Sequence, residues 1–219
     1  MNISGVLQDA LHIYRRLFGR AVVIAGLVFA VVGLGEAFAS RRATALVTLV
    51  ALLLNLVGTL LVQGALVGLV NDLYSNRPAA PTRALYDRTR ERLGTLLGAS
   101  IVYGFGVLAG FVLLIIPGLI AVARWSLIVP LIVIERRGWR EAFSRSNQLV
   151  TGRTGRVLVL VVIADAITLV VSLGISEVFV FLPNFFTVWV GSALAGAVTA
   201  PYQAMVLTVL YFRLAQRPE

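Results

Sequence analysis

The sequence predicts an all-α fold, a polytopic membrane bundle of six transmembrane helices with amphipathic helices at its cytoplasmic face. Three observations predict it. Hydrophobic residues make up 59% of the 219 residues and charged residues only 13%, against about 45–50% and 25% in soluble domains, so the chain cannot cover a water-exposed surface. Six apolar runs approach or exceed the ~20 helical residues that cross a ~30 Å hydrocarbon core. The arginines cluster between alternate runs. A soluble enzyme and a disordered tail are both excluded.

The elements follow in order. In residues 1–18, Ile3, Val6, Leu7, Ala10, Leu11, Tyr14, Leu17 and Phe18 fall on one helical face. An apolar stripe opposite arginines reads as a helix lying in the inner interface, with an ordinary helix covering the bundle as the alternative. The first span covers residues 21–39, interrupted only by Glu36, and Ser40-Arg41-Arg42 turns the chain outside. The second span, residues 43–70, is longer than a bilayer needs and must tilt or protrude. A second amphipathic stretch carries Leu85, Thr89, Leu93, Leu96 and Leu97. The third span is 94–116, Pro117-Gly118 makes an outer turn, and the fourth span, 119–134, is short and contains Arg124. Trp139, Ala142, Phe143, Leu149 and Val150 form a third amphipathic face. The fifth span, 157–173, contains Asp165, and the sixth, 185–212, contains Pro201. No linker divides the chain, so residues 1–219 form a single transmembrane domain.

Each third of the chain thus runs as amphipathic helix, span out, span back. Ala10 to Gly19-Arg20, Ala84 to Gly94 and Ala142 to Gly152-Arg153 recur at similar spacing. This suggests a threefold internal repeat of parallel orientation.

Sixteen of the nineteen arginines precede span one, separate spans two and three or four and five, or follow span six. Only Arg41 and Arg42 lie on the other side, and Arg124 lies within a span. The positive-inside bias places both termini in the cytoplasm. It also accounts for the net charge of +9 without nucleic acid. Every basic residue is Arg and none is Lys, as a GC-rich genome produces. Arg15, Arg16, Arg136, Arg137, Trp139 and Arg140 are candidate contacts for anionic phospholipid headgroups of the inner leaflet.

Little in the chain suggests catalysis. There is no Cys, and His12 is the only His, so disulfides, thiolate nucleophiles and Cys or His metal clusters are excluded; no metal or cofactor is expected. Gly104 to Ala109 spells GxGxxA, but inside an apolar span rather than between a strand and a helix. No GxSxG or Walker A run exists.

Polar residues within spans are costly and face the protein interior. Thr48, Asn55, Thr59 and Gln63 form one such stripe, and Asp165, Thr168, Ser172 and Ser176 another. Asp165 lies nine residues beyond Arg156, and Arg124 eleven before Glu135, so helical rise puts them at similar depth. Arg124 and Asp165 are expected to pair, with Asn55 near the same level. Such a cluster is either an ion or substrate site at the midplane or a pair that fixes helix packing; Arg124 alone could also snorkel outward. Gly64 and Gly68, Gly106 and Gly110, and Ser192, Gly196 and Ala200 have helix-contact spacing, within the chain or in a dimer.

Leu114-Ile115-Ile116-Pro117-Gly118-Leu119, Ala123-Arg124-Trp125-Ser126-Leu127, Pro130 and Ile134-Glu135 resemble the membrane domain associated with glycerophosphoryl diester phosphodiesterases. Ala142, Arg145-Ser146, Leu149 and Thr151-Gly152-Arg153 continue the pattern. Leu7 to Phe18, with Tyr14-Arg15-Arg16, and Leu207 to Phe212 are similar too. The resemblance implies a six-span protein of the bacterial inner membrane from a family largely without assigned function. Arg213 and Leu214-Ala215 depart from the usual acidic ending, and the soluble domain that would supply metal-assisted hydrolysis is lacking, so the phosphodiesterase activity does not transfer. The expected function is non-catalytic: a structural or assembly partner for other membrane proteins or for anionic lipid. The alternative is a small transporter or channel built on Arg124, Asp165 and Asn55.

Overall fold

A computed structural model describes residues 2–41, 44–179, 181–182 and 184–215; Met1, Arg42, Ala43 and Arg217 lie outside the described residues. Among these the chain is helical, with no strand. The helices are α1 (Ile3–Arg41), α2 (Ala45–Tyr74), α3 (Thr82–Arg90), α4 (Leu93–Leu113), α5 (Ile115–Arg124), α6 (Ile128–Ile134), α7 (Trp139–Val150), α8 (Thr154–Val178) and α9 (Asn184–Ala215). Counting α5 and α6 as one segment, six helices are long and apolar enough to cross a membrane. Their outer faces carry large apolar side chains, among them Leu27, Leu52, Phe105, Val112 and Val170, each more than half exposed. Such a continuous apolar surface suits lipid and not water.

α1 and α9 pack along their full length and form the spine. Val6, Ala10, Ile13, Ala21, Ile24, Ala25, Phe29 and Val32 make one buried stripe on α1. The helices approach closely because Gly33 lies against α9: a Cβ there would sit 2.8 Å from the Trp189 carbonyl oxygen and 2.7 Å from Ser192 Oγ. Polar groups stitch the seam. The Trp189 indole donates to the Ala30 carbonyl (2.9 Å) and the Tyr14 hydroxyl to the Val198 carbonyl (3.0 Å). α2 packs against α1, α3, α4, α6 and α9. Its N-terminus is capped by Thr44, whose side chain accepts from the Val47 amide, and its C-terminus by Asn76 at φ 51°, a left-handed conformation that Asn tolerates.

The amphipathic stretches differ from expectation. Residues 3–18 are not a separate interfacial helix; they continue into the first span as α1. The lone Gly19 costs a helix only about 1 kcal/mol, and the buried stripe stays in register across it. Val6 and Ala10 are fully buried while Leu11 is 39% exposed, so the stretch docks on the bundle through a narrower face. The second stripe is split by Glu91 and Arg92: Leu85 and Thr89 dock α3, whereas Leu96 belongs to α4. α7 packs inward through Ala142, Ser146 and Val150. Short helix, span, span is the order of α3, α4, α5–α6 and again of α7, α8, α9; in the first third the short helix is fused to its span.

The hairpin between α4 and α5 also turns earlier than Pro117-Gly118. Leu114 is the extended residue (φ −164°, ψ 151°). Pro117 stands in the first turn of α5, where a missing N–H is harmless. Gly118 is needed for the close return: a Cβ there would meet the Phe111 ring at 2.6 Å, and one on Gly110 would meet the Gly118 Cα at 2.8 Å. The glycine pairs therefore serve contacts within the chain.

Candidate functional site

The fourth span is broken in two. α5 ends at Arg124, Trp125-Ser126-Leu127 turns, and α6 begins at Ile128. α6 has seven residues, so the break lies about 10 Å inward from Glu135. Pro130 occupies the first turn of α6, where it removes no bond. A break inside a membrane segment frees backbone groups that need new partners. Ser146 of α7, wholly buried, supplies them. Its hydroxyl donates to the Arg124 carbonyl at 2.6 Å and accepts from the Leu127 amide at 3.3 Å. Ser126 Oγ donates to the Ala123 carbonyl at 2.9 Å.

Beside the break is a cavity of about 350 Å³. α2 contributes Thr59 and Gln63, α4 Ser100 and Tyr103, the break Trp125 and Ser126, α8 Asp165, and α9 Gln203. The remaining wall is aliphatic, including Leu56, Leu60, Val129, Val161 and Leu207. Apolar walls with a few convergent polar groups are the usual make-up of a small-molecule site. Asp165 is not buried. Its Oδ1 accepts from Gln203 Nε2 at 2.8 Å, and among the described residues no cation lies within ion-pair distance.

The expected trio does not assemble. Among the described residues the ion pairs are Arg88–Asp72, Arg137–Glu135 and Arg213–Asp9. Arg124 is in none of them, and its Nε is buried without an acceptor. Equal depth does not fix azimuth, and the break after Arg124 turns the chain away from the straight helix on which the depth was counted. Asn55 faces α1 instead, where its Nδ2 donates to Glu36 Oε1 at 2.6 Å. Of the three, Asp165 alone lines the cavity. Thr59 and Gln63 were legible as members of the α2 stripe. Ser100, Tyr103, Ser126 and Gln203 were not; Gln203, two residues past Pro201 in an apolar span, was the one with a signal.

At the Arg-rich end, Arg15, Arg16, Arg136 and Arg140 are exposed, and Arg137 and Trp139 partly so. The Arg140 guanidinium stacks 4.8 Å over the Trp139 ring. Arg137 is bound to Glu135, whose hydrogen bond and then charge hold the guanidinium further above its ordinary pKa. Glu135 Oε1 also accepts from the Tyr211 hydroxyl at 2.9 Å. Arg136 and Arg137 are thus neighbours in sequence, but among the described residues the Arg137 guanidinium is paired and that of Arg136 is not. Among the described residues, no group of three or more His, Asp and Glu side chains converges to hold a metal ion.

Residues 89–215 match the model of a domain of unknown function (DUF7847). The match takes in α4 to α9, with the break, Ser146, Asp165 and Gln203, and covers more than half of the chain, which therefore belongs to this family. No curated protein and no solved structure matches it.

Proposed function

We propose that this DUF7847-family chain is a non-catalytic, multi-pass protein of a bacterial inner membrane, with both termini in the cytoplasm, that takes a small ligand into the bundle, as a transporter or ligand-binding subunit does. The observation that carries this reading is the cavity at the broken fourth span. Broken helices beside polar cavities are where membrane transporters place their substrate sites. An ionisable residue in a membrane segment without a counter-ion argues for a role beyond packing, and among the described residues the side-chain partner of Asp165 is Gln203, a neutral amide. The Arg belt with Trp139 and Arg140 supports the orientation and a contact with anionic headgroups.

The test uses the absence of native Cys. Single Cys at Ser126 and at Asp165 should react with small charged thiol reagents in the folded, membrane-reconstituted protein, whereas a Cys at the fully buried Leu160 should not. Unreactive thiols at both cavity positions in a folded protein would overturn the reading. The second reading, an assembly partner of other membrane proteins or anionic lipid, rests on the Arg belt and would then take precedence.

A further inference from the structure

A second cavity, of about 320 Å³, lies at the Arg-rich end between the last turns of α2, α3, the α3–α4 junction and the end of α6. Four arginines line it, Arg77, Arg88, Arg92 and Arg136, against the carboxylates of Asp72 and Glu91. Asp72 is already satisfied. It is 3% exposed, accepts from the Ala80 amide at 3.1 Å and pairs with Arg88 at 3.4 Å. Arg77, Arg92 and Arg136 then face a single carboxylate. Among the described residues, the guanidiniums of Arg77 and Arg136 have no hydrogen-bond or ion-pair partner, and Arg92 has a long bond, 3.5 Å, to the Arg136 carbonyl. Arg136 is held at φ 54°, a strained conformation for a residue with a side chain and one that clusters at binding sites. Arg77 and Arg136 are exposed and Arg92 half-buried, so water screens part of their mutual repulsion, and an anion seated between them would relieve the rest.

The two cavities have no lining residue in common, but α2 and α6 contribute to both. Leu60 of α2 and Val129 of α6 line the first; Gly64 and Val133, each one turn further along, line the second. That offset is about 6 Å. A mainly aliphatic chamber and an arginine-lined chamber at the end of the bundle therefore lie end to end along α2 and α6.

We propose that the two chambers form one site for a lipid phosphate, with the phosphate held by Arg77, Arg92 and Arg136 and the apolar body in the core cavity. The proposal rests on the reading above that the core cavity takes a ligand, and it names the class of that ligand. Phosphate fits better than carboxylate, because three guanidinium forks need more acceptor oxygens than one carboxylate offers. The apolar chamber next door selects a phosphate attached to a hydrocarbon.

The test is thermal unfolding of the purified, delipidated full chain in detergent. Dioctanoyl phosphatidic acid, dioctanoylglycerol and inorganic phosphate are titrated separately. Phosphatidic acid is expected to stabilise at the lowest concentration, with the other two weaker because each fills one chamber. The double change Arg92→Gln and Arg136→Gln should weaken phosphatidic acid binding roughly ten- to hundredfold and leave dioctanoylglycerol unaffected. Arg77→Gln removes a guanidinium that makes no hydrogen bond or ion pair among the described residues, so it keeps the test open should the double variant misfold; it should weaken binding severalfold. Inorganic phosphate matching phosphatidic acid would overturn the shared site, as would unchanged binding in the Arg variants. Unchanged binding together with reactive thiols at positions 126 and 165 rejects the lipid phosphate but keeps the core cavity. Arg-dependent binding of phosphate and lipid alike with unreactive thiols rejects the core cavity and the shared site together.

Discussion

Ser146 Oγ donates a 2.6 Å hydrogen bond to the carbonyl of Arg124, and through it α7 holds the two halves of the fourth span together. The same oxygen accepts from the Leu127 amide, so one buried hydroxyl satisfies a carbonyl on one side of the break and an amide on the other. Ser146→Ala leaves both unpaired, at about 1–3 kcal/mol each. Thermal unfolding should register a clear loss, larger than for Ser126→Ala, whose side chain serves only one carbonyl. An unchanged midpoint would mean that water or another group reaches the break.

Arg124 and Asp165 make no ion pair, so their substitutions should act independently. In a double-mutant cycle, Arg124→Gln and Asp165→Asn should add within about 0.5 kcal/mol. Recovery of stability in the double variant would reinstate the pair. Asp165→Asn alone preserves a partner for Gln203 and should leave the protein folded.

The glycines divide into two groups that alanine distinguishes. Gly110→Ala and Gly118→Ala force contacts of 2.8 and 2.6 Å across the α4–α5 hairpin, and overpacking of this kind costs about 1–3 kcal/mol. Gly104 and Gly174 have open space at the Cβ position. Alanine there should be neutral or stabilise by up to about 1 kcal/mol through helix propensity. Unfolding midpoints of the four variants test the contrast.

Orientation follows from the proposed positive-inside arrangement. A Cys at Ser75, on the Arg-rich side, should resist an impermeant reagent added to intact cells. A Cys at Phe181, which is 92% exposed between α8 and α9, should react. The reverse pattern would invert the topology.

The N-terminal half of α1 offers a further check. Val6→Glu places a charge at a fully buried position, whereas Leu11→Glu changes one that is 39% exposed. The first should lower the unfolding midpoint strongly and the second weakly. Equal effects would mean that Leu11 too docks against the bundle.

Several of these expectations start where the sequence reading fell short. Six apolar runs stand out because nothing but a membrane tolerates them, and the arginines sort their ends. Breaks and partners are harder. Trp125-Ser126-Leu127 contains neither Gly nor Pro, so the interruption of the fourth span leaves almost no local mark; Pro130 merely permits it. Helical counting places Arg124 and Asp165 at one depth, but depth says nothing of the face each presents, and Gln203 lies 38 residues from Asp165. Residues 3–18 carry a stripe that suits an interface and a helix groove equally well. Only α9, far along the chain, decides between them.

That last contact has a cost in time. α1 finds its main partner in α9, and some 140 residues separate Arg41 from Asn184. At about 5–20 residues per second, α1 waits roughly seven to thirty seconds in the bilayer with Gly33 and its neighbouring stripe uncovered. During that interval it is open to wrong pairings, including with another nascent copy. Biogenesis of this protein should therefore depend on whatever shelters an early helix until a late one arrives, and a ribosome stalled before α9 should leave an intermediate that insertion chaperones recognise and proteases remove.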